Sequence, residues 1–199
     1  LSTQLIKKAR LAPDSVDITA DLKKALLHLK RAASILPTME NINGNMGFVY
    51  MQLGVYDSAT IYLNKELALN DADVAAHNNL GIIYYDMGVA EPAIHHFQQT
   101  IKYDSLNLQA HYQLLLAYIL GGYDRQVKQT LESIETIDSM YYPPFIKAGE
   151  YFLFERKDTC EAAKFFDLSV QKGYSNRIFT EGVCELSKQA GCDYLGMCK

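Results

Sequence analysis

Apolar and polar positions along this chain recur with the period of helices rather than of strands. From about residue 20 to 35, Leu22, Ala25, Leu26, Leu29, Ala32 and Ala33 form one apolar stripe, which predicts a helix capped by Thr19 or Asp21. Runs of the same kind then come in pairs: about 41–53 with 57–70, 75–87 with 91–103, 109–121 with 124–138, and 144–155 with 158–172. Gly54, Gly88 and Gly122 fall in the turn within each of the first three pairs, where a chain leaving a helix adopts left-handed geometry. Asp57, Glu91 and Asp124 place an acid at the start of each second helix, where the helix dipole favours it. A final run from Ser175 or Asn176 to about 190 turns Phe179, Val183, Leu186 and Ala190 inward and Glu181, Glu185 and Lys188 outward. Before the first stripe, Leu1–Leu11 predicts a short helix presenting Lys7, Lys8 and Arg10, broken at Pro13 and followed by a loop, Ala12–Ile18.

The pairs recur at one fixed spacing. Gly54, Gly88 and Gly122 are evenly spaced, and Tyr50, Tyr84 and Tyr118 share their interval, as do Met46, Leu80 and Leu114, and Leu63, Phe97 and Leu131. Ala59 and Ala93 continue into Val127, and Ala25 and Leu29 lie one period before Ala59 and Leu63. With His77, Leu80-Gly81 and Tyr84 on the first helix and Ala93, Phe97 and Thr100 on the second, residues 74–107 resemble a tetratricopeptide repeat. Ser105 stands where that family places a proline, and the upstream copy has Pro37 there. The resemblance spans about residues 21–172 and implies an all-α, right-handed solenoid of antiparallel helix pairs, a superhelix closed by a C-terminal capping helix. It divides 1–199 into degenerate N-terminal helices (1–39), three clear repeats (40–73, 74–107, 108–141), a divergent repeat (142–174) and a capping helix with a cysteine-containing tail (175–199). Gly47 and Gly81 let the two helices of a pair approach closely; Leu115 takes that place in the third pair, which should sit slightly apart.

Composition narrows the partners. A net charge of −4 leaves no excess of cations for phosphates, so nucleic acid is excluded as the main partner. No run approaches the roughly 18 apolar residues of a membrane span. Around residues 7–31, Lys7, Lys8, Arg10, Lys23, Lys24, Lys30 and Arg31 make the beginning of the chain locally basic: a solvated face, or one turned to an anionic membrane or an acidic partner. The start at Leu1 reads as a processed chain or a piece of a longer protein.

In the family resembled, first helices line the concave side, and one address there holds Asn45, Asn79, Gln113 and then Lys147. Three carboxamides in register suit the NH and CO groups of an extended peptide. Asn41, Asn78 and Gln109 add polar groups beside them, and Phe48, Ile82, Tyr85, Tyr112 and Leu116 add mainly apolar ones. The competing reading is that asparagine here bonds only locally.

The four cysteines, Cys160, Cys184, Cys192 and Cys198, gather at the C-terminal end of the chain. A turn at Gly173-Tyr174 would set Cys160 beside Cys184 across antiparallel helices, leaving Cys192 and Cys198 to close the tail around Gly196. Three connectivities are open, with free thiols and zinc as competing readings; no Cys-x-x-Cys pair supports zinc. Disulfides imply a periplasmic or otherwise extracytoplasmic setting, and reduced thiols a cytoplasmic one. The tail is also similar to the cysteine-containing ends of some bacterial envelope repeat proteins. His77 and His111 share a wedge position that Phe145 fills in the fourth pair, and adjacent His95 and His96 point about 100° apart, unsuited to chelation. No nucleophile elbow, phosphate loop or zinc-protease motif occurs, so no enzyme, cofactor or metal is expected. The reading is a scaffold that binds an extended peptide or partner segment in the concave groove. Its alternative is an accessory domain of a longer envelope protein, making contact through its convex face or ends.

Overall fold

The structure, a computed structural model, describes residues 18–36, 39 and 41–192. Two compact units divide the chain, Leu1–Ser105 and Leu106–Lys199. In the first, α1 (Ile18–Ile35) packs on α2 (Ile42–Gln52), which pairs with α3 (Tyr56–Leu69). Next, α3 packs on α4 (Val74–Asp86), which pairs with α5 (Ala90–Tyr103), and α2 touches α4 directly. In the second unit α6 (Leu108–Gly121) pairs with α7 (Asp124–Ile137), and α8 (Pro143–Phe154) pairs with α9 (Thr159–Gln171). There α6 touches α8, and α10 (Arg177–Gln189) closes on α9. The described residues form helices and turns only, with bounds within about two residues of those the periodicity predicts. One cap is corrected: α1 already begins at Ile18, so Thr19 and Asp21 lie inside its first turn. The expected helix at 1–11, its following loop and Pro37 lie outside the described residues, as does the side chain of Leu186.

The turn within a pair is the same device three times. Gly54, Gly88 and Gly122 have φ of 72°, 75° and 75°, and the N–H of the next residue donates to the carbonyl of Tyr50, Tyr84 or Tyr118 at 2.9 Å. A side chain at these glycines would force φ into a region that costs an L-residue about 1 kcal/mol or more. Glycine serves a different purpose inside the first helices. A methyl group at Gly47 would stand 2.5 Å from Leu63 Cγ, and one at Gly81 would stand 2.5 Å from Phe97 Cε1. Leu115 occupies the matching place on α6, and the α6–α7 pair approaches less extensively than the pairs that keep the glycine.

Helix α2 differs from its counterparts in how it starts. Helices α4 and α6 are capped locally: Asp73 accepts from the Ala76 N–H at 2.6 Å, and Asn107 from the Ala110 N–H at 2.9 Å. The residue one period before Asp73 is Met39, which cannot cap. Instead Glu66 of α3, 1% exposed, accepts the Asn41 N–H at 2.8 Å and the Gly44 N–H at 2.9 Å. Its carboxylate therefore satisfies two orphan donors where the helix dipole is positive. The same address holds Thr100 on α5 and Ile134 on α7, both buried.

Candidate peptide-binding face

The first helices of the pairs carry the three carboxamides Asn45, Asn79 and Gln113. In the first unit Asn45 of α2 and Asn79 of α4 are half-buried, as are Asn78, Ile82 and Tyr85. Asn41 is exposed, with φ of 66°, and its backbone is committed to Glu66. Phe48 is only 8% exposed and belongs to the core of this unit. In the second unit Tyr112, Gln113 and Leu116 of α6 are half-buried and Gln109 is exposed. The Gln113 side-chain oxygen Oε1 is itself buried and lacks a hydrogen-bond partner among the described residues. The Tyr112 ring meets Tyr141 edge-on at 6.1 Å, and burial, then the Asp138 charge, pushes the Tyr141 phenol up. Lys147 of α8 is exposed and pairs with Glu150 at 2.7 Å, a surface contact of small energetic weight.

Three polar constellations were not anticipated from the sequence. The first lies between α4 and α5. His77 Nε2 is 3.0 Å from the Asp71 carbonyl, an acceptor, so that nitrogen holds the proton. His77 Nδ1 then accepts from His96 Nδ1–H at 3.1 Å. The His96 ring stacks on Tyr84 at 5.7 Å, His95 meets its edge at 5.3 Å, and Tyr103 lies 6.3 Å from His77. Burial, with His77 and His95 adding to it, lowers the His96 pKa to about 4. Among the described residues no three His, Cys, Asp or Glu side chains converge as metal ligands would. The available signal was the repeat itself: His96 and Tyr84 lie one period after Tyr62 and Tyr50, whose rings stack in the preceding pair at 5.5 Å.

The second constellation lies in the second unit, where Asp124 accepts from Tyr151 Oη and, at 2.6 Å, from Arg156 Nε. Burial alone would raise the Asp124 pKa, but these bonds outweigh it and hold the carboxyl below its usual range. Tyr151 is pushed up to about 12 by burial and by the Asp124 bond. In the third, Lys172 is buried, bonds Glu135 and the Ser139 carbonyl at 2.9 Å, and lies 4.7 Å over the Phe145 ring.

The cysteine pairing is corrected. Cys160 is bonded to Cys192, with Cα atoms 5.4 Å apart, and not to Cys184. Non-helical residues 172–176 separate α9 from α10, so Cys160, second in α9, faces the end of α10 rather than its middle. Gly191, at φ of 70°, turns the chain back there, and the Cys192 N–H bonds the Ser187 carbonyl at 3.0 Å. The expected Cys192–Cys198 closure falls with it. Cys184 is disulfide-bonded as well, and Cys198 lies outside the described residues. Within α10, Val183 is buried and Phe179 meets Phe166 edge-on at 4.8 Å, whereas Ala190, read as inward, is exposed beyond the helix end.

No family model and no curated protein matches the sequence. Solved structures do. The chain is similar to a crystal structure of MamA, with a TM-score of 0.69 and 21% identity over 79% of this chain and 95% of that one. It is similar also to YrrB, described as a tetratricopeptide-repeat protein with an unusual peptide-binding site, with a TM-score of 0.69 and 15% identity over 96% and 92% of the two chains. PilF of Pseudomonas aeruginosa gives a TM-score of 0.69 and 17% identity over 96% and 82%. At these identities the likeness establishes the fold. The protein is all-α, a solenoid type built from helix pairs. Its helix pairs share the fold of these tetratricopeptide-repeat structures.

Proposed function

We propose that the chain is a protein-interaction scaffold that holds an extended peptide segment of a partner along the exposed faces of its first helices. The observation that supports this most is Gln113 Oε1, a buried amide oxygen without a partner among the described residues, at the address that also carries Asn45 and Asn79. A peptide N–H would satisfy it once the side-chain amide turns outward, and leaving such a group unpaired costs about 1–3 kcal/mol. Half-buried Tyr112 and Leu116 beside it, and Ile82 and Tyr85 beside Asn79, offer apolar contact for alternate side chains of an extended strand. The likeness to YrrB, itself described as peptide-binding, is consistent with this reading.

The test is selection of peptides from a displayed random library, followed by affinity measurement with Asn79→Ala and Gln113→Ala variants. A selected peptide should lose about tenfold in affinity for each lost amide contact. Equal affinity for both variants rejects the carboxamide face and leaves the accessory-domain alternative. The Cys160–Cys192 bond and the oxidised Cys184 favour an extracytoplasmic setting for the protein, periplasmic or at the cell exterior.

A further inference from the structure

Helix α1 buries Leu22, Ala25 and Leu29 and turns a very different face outward. At the centre of that outer face is Leu27, 57% exposed. At about 100° per residue, Lys23, Lys24, Lys30 and Arg31 all lie within about 60° of it, and all four are exposed. Past them the apolar surface continues through Ile35, 76% exposed, and then Leu36 and Met39.

Lys30 lies 5.8 Å over the Tyr50 ring, but the repeat does not otherwise demand these cations. One period on, α3 has Asp57, Ser58, Ile61, Asn64 and Lys65 at the addresses of Lys23, Lys24, Leu27, Lys30 and Arg31. Helix α5 has Glu91, Pro92, His95, Gln98 and Gln99 there. An ordinary solvated outer helix in this protein therefore carries at most one cation at the four flanking positions, whereas α1 carries four, in a chain whose net charge is −4. The nearest acid on the helix, Asp21, lies 4.0 Å from Lys24 and toward the buried side.

We infer that the outer face of α1 docks on an anionic membrane surface, with Leu27 and Ile35 entering the headgroup boundary and the four cations binding lipid phosphates. Two observations favour a bilayer over an acidic peptide. Leu27 and Ile35 are each more than half exposed on one helix, and cations flank Leu27 on both sides at the spacing of an interfacial helix. Among the described residues no helix is long and apolar enough to cross a membrane, so the contact is peripheral. This surface is distinct from the carboxamide face and does not depend on it.

Flotation of the full chain with phosphatidylcholine vesicles, with and without phosphatidylglycerol, tests the proposal. Binding should require phosphatidylglycerol and weaken as salt rises. Each basic residue near an anionic leaflet strengthens binding about fivefold, so the K23Q/K24Q/K30Q/R31Q variant should bind about a hundredfold more weakly or worse. L27Q alone should also weaken binding. K65Q and R125Q, removing single cations from other outer faces, should leave it unchanged. Circular dichroism establishes that each variant is folded. Equal binding to both vesicle types, full binding by the quadruple variant, or capture on immobilised polyglutamate without vesicle binding would each overturn the proposal.

Discussion

Replacing Glu66 by alanine tests how the first complete helix pair is held together. The carboxylate is buried and accepts two backbone N–H groups at the start of α2, at 2.8 and 2.9 Å. Neither donor has a local substitute, since Asn41 supplies no side-chain cap. Truncation strands both at a buried helix end, at about 1–3 kcal/mol each, and removes a favourable charge–dipole interaction of under about 1 kcal/mol. It also opens space, because Glu66 Cγ lies 3.3 Å from where a methyl group on Gly44 would be. Part of the penalty is recovered where water reaches the exposed Asn41, so the expected loss is about 3 kcal/mol. Glu66→Gln keeps one acceptor but turns an NH2 group toward the second donor, and should cost roughly half as much. The assay is urea unfolding followed by far-UV circular dichroism, with amide hydrogen exchange read at Asn41, Gly44 and the first turn of α2. A loss under about 0.5 kcal/mol with unchanged exchange in that turn would refute the reasoning.

Three further outcomes are expected. His96 has a folded pKa of about 4 against 6.5 unfolded. Stability from this group is therefore complete above pH 6.5 and is lost as pH falls toward 4, by about 1–2 kcal/mol after discounting for the ring's partial exposure. Thermal unfolding across that range should show a dependence that His96→Phe flattens; an unchanged slope counts against the His77–His96 contact. Gly81→Ala should destabilise by about 1–3 kcal/mol because the methyl group meets Phe97, and Phe97→Leu in the same chain should recover part of it. Removing the Cys160–Cys192 bond by Cys160→Ser with Cys192→Ser opens a loop of 32 residues' separation and should cost the second unit about 3–4 kcal/mol while sparing the first. Non-reducing peptide mapping should recover the two cysteines linked; a Cys160–Cys184 product would contradict the structure.

The helix pairs were legible because burial repeats with one fixed period, and the glycines at 54, 88 and 122 mark turns that few other residues accommodate. Gly47 and Gly81 were legible as close-packing positions for the same reason. Glu66 was not, because its cap is supplied from another helix 25 residues away, whereas sequence patterns detect caps within three or four. The histidine contact is not legible from neighbours on one helix, because His77 meets His96 across a pair. The cysteine pairing failed on geometry: a mirror taken through Gly173-Tyr174 ignores both the non-helical residues after α9 and the return at Gly191. On the candidate face, helix periodicity placed Asn45, Asn79 and Gln113 at one address. It could not separate Phe48, drawn into the core, from Ile82, its half-buried counterpart one period later.

The most direct test of the scaffold reading is a titration of the full chain with a display-selected peptide, following the side-chain amide resonances of Asn45, Asn79 and Gln113 by NMR. Each of these amide signals should shift on titration, and Gln113→Ala should weaken binding about tenfold. If the three amides stay unmoved while resonances of the outer helices shift, the peptide is held elsewhere and the carboxamide face is not the site.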